Sequence, residues 1–153
     1  MVHWADIPKT LRERFSRMSL PSFEETPWVG PQTLTEARVA MVTTAAIHRA
    51  DDSPFTGHDG KYRLIPGDVD YRDLVMTHSS VNFDRGAFHQ DVNIAFPLEH
   101  LHTLAAAGEI GSVAAWHYSF MGSTTAERME PAAREVAARL SQDAVTLVLL
   151  IPV

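Results

Sequence analysis

The chain has 153 residues, 45 % of them hydrophobic and 21 % charged, a balance that fits one soluble domain with its own core. A net charge of −6 without any dense basic run excludes a phosphate-tracking surface, and hence nucleic acid as a partner. No stretch nears the ~20 apolar residues that span a bilayer, and the absence of cysteine excludes disulfides and thiolate catalysis by these residues.

Residues 1–33 read as an N-terminal arm. Ile7, Leu11, Phe15 and Met18 fall on one stripe of a short helix, and Pro21, Pro27 and Pro31 keep the following chain extended. Phe23 and Trp28 are expected to pin the arm, either to its own domain or to a dimer or other partner. The amphipathic start has no secretory hydrophobic region, so a cytoplasmic location is expected.

Residues 34–153 read as an α/β domain. Ala37–Thr43 is the first strand, and the small residues Thr44–Ala46 lead from it to His48. Asp51–Gly60 is a turn-rich loop. Short strands are expected at Tyr62–Ile65 and Tyr71–Met76, followed by a polar stretch from Thr77 to Asn93. Pro97 opens a helix with Leu98, Leu101, Leu104 and Ala105 on its apolar face, and Gly108 suits its C′ position. The next strand lies within Ile110–Ser119. Thr124 and Glu127 have capping-box spacing for a helix from about Thr125, with Met129, Ala133, Val136, Ala137 and Leu140 inward. Pro131 either kinks that helix or begins a new segment.

Asp143–Val153 reads as a final strand, buried on both faces because its apolar run lacks alternation. Strands alternating with helices in this order give an open, mostly parallel sheet with flanking helices. The strand at Val153 either closes that sheet or stops at the edge of an active site, since ligands bind beyond the carboxyl ends of parallel strands.

The polar residues at those strand ends define the candidate site. Thr43, Thr44, His117 and Ser119 share one edge of the expected sheet, and loops bearing His78, Asn82, Asp84, Asp91 and Asn93 can cover it. Imidazoles transfer protons near neutrality, which makes His78 and His117 the catalytic candidates. Thr43, Thr44, Asn82, Asp84, Asp91, Asn93 and Ser119 are the substrate-binding candidates, as donors and acceptors for a small molecule on which negative charge develops. Plainer roles stand beside these. His48 is a loop histidine, His89 faces solvent, His100 and His102 lie on a helix surface, and Asp84 caps a local turn.

No metal is expected. His78, Asp84, His89 and Asp91 are suitable ligand types, but their spacing matches no metal motif. P-loop and dinucleotide fingerprints are absent, and no serine sits in a G-x-S-x-G elbow.

Several dispersed segments carry a resemblance. They are Leu34–His48 (LTEARVAMVTTAAIH), Arg63–Val69 (RLIPGDV), Thr77–Asp84 (THSSVNFD), Gln90–Ala114, His117–Gly122 (HYSFMG) and the closing AVTLVLLIPV. In that order they resemble the glycine/sarcosine/betaine reductase selenoprotein B family, which includes the related D-proline reductase subunit. The likeness is closer to a short, uncharacterised branch.

It implies an oxidoreductase that reductively cleaves a C–N bond in a small amino acid or amine. A selenolate there works with a pyruvoyl-bearing partner subunit and a thiol electron supply. Assembly as a homo-oligomer or a reductase-complex subunit is the matching expectation, with no cofactor in this chain and a thiol reductant for the full-length protein. In the family the strand matching Leu147–Val153 runs into a selenocysteine or cysteine motif. The resemblance therefore implies translation halted at a UGA codon, with the chain as given inactive alone. The alternative is a non-catalytic ligand-binding or assembly module of the same fold. A small hydrolase with a serine or threonine nucleophile is a more distant third.

Overall fold

A computed structural model describes residues 3–17, 29–30, 32–80 and 85–153. Its strands are β1 (Arg38–Thr43), β2 (Ile47–Arg49), β3 (Arg63–Pro66), β4 (Leu74–Met76), β5 (Ser112–Val113), β6 (Trp116–Ser119) and β7 (Leu147–Ile151). The helices are α1 (Lys9–Ser16), α2 (Arg85–Gln90), α3 (Leu98–Ala106) and α4 (Ala126–Gln142). β1 is the central strand. β5 and β6 pair parallel along one of its edges, β7 pairs parallel along the other, and β3 joins β6 antiparallel. β2 and β4 form a small antiparallel pair.

Alternation along β1 sorts the side chains into two layers. Val39 and Met41 face a cluster that includes Phe96, Leu98 and Leu101 at the start of α3. Val42 faces the opposite cluster, where Tyr118 and Phe120 meet Val136 of α4. This is the mostly parallel, helix-flanked sheet expected from the sequence. The ends of α3 also follow the expected chemistry: Gly108 takes φ +72° beyond the C-cap, where an L side chain is disfavoured.

Four expectations change. β7 is not buried on both faces. Val148, Leu149 and Leu150 are exposed, because among the described strands only β1 pairs with β7, and only Leu147 and Ile151 of β7 pack against a core cluster. The capping box at α4 does not form, since the Thr124 hydroxyl donates instead to the Asp59 carbonyl at 3.0 Å. Pro131 lies inside one helix and does not begin a new segment, and Ala132 rather than Ala133 or Ala137 packs inward beside Met129, Val136 and Leu140. The polar stretch after Thr77 contains α2, anchored by the buried Phe88.

In the arm, the predicted helix is present as α1. Leu11 and Phe15 remain exposed, so the stripe finds no cover among the described residues. Met18, Pro21, Phe23, Pro27, Trp28 and Pro31 lie outside those residues. No described helix is long and apolar enough to cross a membrane.

Candidate functional site

The carboxyl ends of β1 and β7 meet at a corner closed by Gly122. Thr44 follows β1 directly, and its Oγ1 accepts the Val153 N–H at 2.8 Å while donating to the Val153 carbonyl at 3.3 Å. The Thr44 N–H donates to the Ile151 carbonyl at 3.1 Å, so the two strand ends stay in register to the last residue. From the end of β6 the chain returns at Gly122, whose N–H donates to the Thr44 carbonyl at 2.9 Å.

Glycine is required there by contact. A Cβ at position 122 would lie 2.7 Å from the Val153 oxygen, 2.8 Å from the Thr44 oxygen and 3.1 Å from His78 Nε2. Three chain segments thus converge on one atom-sized gap. The turn out of β1 is also strained, since buried Ala46 has φ 53°. Backbone bonds to the Phe120 carbonyl (2.9 Å) and from the Thr77 N–H (3.0 Å) hold it.

His78 is buried against this corner. Its Nδ1 accepts the Ser80 N–H at 3.1 Å, which leaves the ring proton of the neutral form on Nε2, the nitrogen beside Gly122. Burial, and secondarily the charge of Arg85, lowers its pKa below the ordinary histidine value. Arg85 donates to the His78 and Ser80 carbonyls, fixing the segment from the start of α2. Ser79 and Ser123, next in sequence to His78 and Gly122, hold their hydroxyls 2.7 Å apart. The arrangement offers an imidazole N–H and hydroxyls around the end of a parallel strand pair, a setting able to stabilise an anion.

The remaining sequence candidates have other surroundings. The Thr43 hydroxyl accepts the Ala45 N–H at 3.2 Å, and the Ser119 hydroxyl accepts the Ile47 N–H at 2.9 Å, so both buried groups shape the turn behind the corner. His117 is fully buried two residues inward from Ser119. Its Nδ1 accepts the Met41 N–H at 3.0 Å in place of a strand carbonyl, and its ring meets Phe96 edge-on. Burial lowers its pKa to about 4, with the His102 charge acting in the same direction, Asp143 opposing and Arg38 reinforcing.

Asp91 and Asn93 belong to a separate network. Asp91 caps the short helical turn Val92–Ile94 through the Asn93 N–H, and Asn93 bonds Tyr71 and Glu99. Asn82 and Asp84 lie outside the described residues. Of the histidines given plainer roles, His48 is not in a loop but buried on β2, bonded to the Arg49 carbonyl, while His89 and His100 are exposed. Exposed His102 bonds the Gly67 carbonyl at 2.7 Å.

A groove of about 1160 Å³ lies elsewhere, between residues 52–64 and α4, and none of the corner residues lines it. Among the described residues no three histidine, aspartate or glutamate side chains are grouped to hold a metal.

Residues 9–152 match the family described as Glycine/sarcosine/betaine reductase selenoprotein B (GRDB). The chain is 33 % identical over 120 residues to D-proline reductase subunit gamma of Acetoanaerobium sticklandii, covering 76 % of this chain and 49 % of that protein. The chain belongs to the glycine/sarcosine/betaine reductase selenoprotein B family, a reductase family. It spans about half the length of the curated relative it matches. No solved structure matches it.

Proposed function

We propose that the chain is the N-terminal α/β part of a selenoprotein-B-like oxidoreductase that reductively cleaves a C–N bond in a small amino acid or amine. The nucleophile, selenocysteine or cysteine, follows Val153 in the complete protein. The carrying observation is the corner at Gly122, where β1 and β7 deliver Thr44 and Val153 to the side of His78 Nε2. A selenolate or thiolate placed one residue on would meet an N–H donor, which favours the anion, raises the ionised fraction of a thiol and improves it as a leaving group. His78 serves as donor to that anion; Thr44 positions the strand end and does not react.

His117 supports β1 from inside the sheet, which fits a positioning role better than proton transfer to substrate. The name of the relative, a reductase subunit, supports membership of a multi-subunit assembly; a thiol as electron donor is part of the proposal. Sequencing the gene beyond codon 153 tests the reading. In-frame TGA followed by coding sequence with a cysteine or redox motif is expected; TAA or TAG before unrelated sequence would refute it.

A further inference from the structure

We infer that the free edge of β7 and its outer face bind one more parallel strand and its crossover helix, packed beside α4. This rests on the reading that further sequence completes the enzyme, and it specifies where that sequence docks. Register decides which side chains are involved. Val148 and Leu150 lie opposite Ala40 and Val42, so they face the α4 layer; Leu147, Leu149 and Ile151 lie opposite Val39, Met41 and Thr43, toward α3.

On the α3 side Leu147 and Ile151 already pack on the core, with Leu149 between them 37 % exposed. On the α4 side Leu150 is 69 % exposed and Val148 36 %, in a strand whose second edge has no partner among the described strands. A five-residue strand of Leu, Val and Ile with an open edge and no charged residue carries none of the usual protections against pairing.

Topology selects the occupant. From β1 the chain reaches β5 and β6 through α3 on one face. From β6 it crosses back over β1 to β7 through α4 on the other face. Opposite directions on opposite faces give one hand, the right hand that nearly all such crossovers take. A connection continuing outward past β7 with that hand must run on the α4 face, directly over Val148 and Leu150. The segment that fits is a helix-and-strand unit from the sequence that the proposed function places after Val153, the match covering 49 % of D-proline reductase subunit gamma. A second copy pairing β7 to β7 would fill the edge but supplies no helix for this face.

The absence of native cysteine makes thiol labelling a direct readout. Leu150→Cys and, separately, Leu149→Cys are introduced into the 153-residue chain and into the gene product read through codon 154 as serine. Iodoacetamide labelling is followed by mass spectrometry of the peptide containing the new thiol. In the short chain residue 150 should label rapidly and independently of protein concentration. In the long form it should slow by about 100-fold or more.

Equal rates at 150 in both forms would overturn the inference, as would protection of 149 with 150 still reactive, which puts the helix on the wrong face. Concentration-dependent protection in the short chain, with a dimer by sedimentation, would assign the edge to a second copy. If the gene ends after codon 153, the functional reading fails on sequence alone, and a reactive residue 150 in that sole product refutes the docking surface separately.

Discussion

Thr44 and Val153 clasp each other, the threonine hydroxyl accepting the Val153 N–H at 2.8 Å and donating to its carbonyl at 3.3 Å. The side chain of one strand end thereby fixes the backbone of the other, at the place where the proposed nucleophile follows. Thr44→Val keeps the shape and removes both bonds. It should cost about 1 kcal/mol of stability, raise hydrogen exchange at the Val153 amide, and leave exchange in α3 unchanged. Unaltered exchange at Val153 would show that the clasp does not hold the strand end.

Gly122→Ala tests the convergence from the other side. The new methyl would sit 2.7 Å from the Val153 oxygen and 2.8 Å from the Thr44 oxygen, both backbone atoms. Overpacking of this kind costs about 1–3 kcal/mol. In a catalytically competent form the variant should lose turnover far more than substrate affinity, because the displaced element leads into the proposed nucleophile. Thermal melts and steady-state kinetics on the same preparation separate the two effects.

His117 gives the fold a predictable acid response. Its folded-state pKa, about 4, lies below the ordinary histidine value of 6.5. The unfolded chain therefore binds more protons between these values, and stability rises with pH across that window. Stability from this group is complete above pH 6.5 and is lost as pH falls toward 4, by about 3 kcal/mol in all. His117→Gln keeps an acceptor for the Met41 N–H but cannot titrate. Urea melts at several pH values should show this slope in the parent and not in the variant.

At the end of α4, Ala144 takes φ 52° just beyond the C-cap Asp143. A left-handed alanine there carries strain that glycine lacks. Ala144→Gly should stabilise the chain by about 0.5–1 kcal/mol, read as a higher denaturant midpoint at unchanged slope. A lower midpoint would mean that backbone freedom in the unfolded state outweighs the strain.

Much of the sheet was legible because β1 and α3 announce themselves locally. β1 is a β-branched apolar run, and α3 has Pro97 before it and Gly108 after it. β7 was legible as a strand but not as an exposed one. Apolar composition records what a strand can bury, whereas burial depends on which layers reach it, a tertiary fact. The place of Thr44 and His78 at the end of β1 was legible, since both lie next to strand ends or loops at the sheet edge.

Asp91, Asn93 and Ser119 carry suitable chemistry, yet each side chain is held by a backbone or neighbouring polar group. Spacing does not separate a group so used from one aimed at a ligand. Gly122 escaped the candidate set because glycine bears no functional group. The clue was its place three residues after Ser119, where a strand leaves the sheet and a close backbone approach is common.

The most direct test of the account is substrate-dependent dithiol oxidation by the protein read through codon 154, assayed together with the partner subunit that the resemblance implies. Cysteine at position 154 is compared with serine, using D-proline, glycine, sarcosine and betaine as the substrate panel. The cysteine form should oxidise dithiol in step with formation of the C–N-cleaved product, a ring-opened amino acid from D-proline or a released amine from the others, for at least one of these, while the serine form and the isolated 153-residue chain stay at background. Equal rates for the cysteine and serine forms, or robust turnover by residues 1–153 alone, would contradict the placement of the nucleophile beyond Val153.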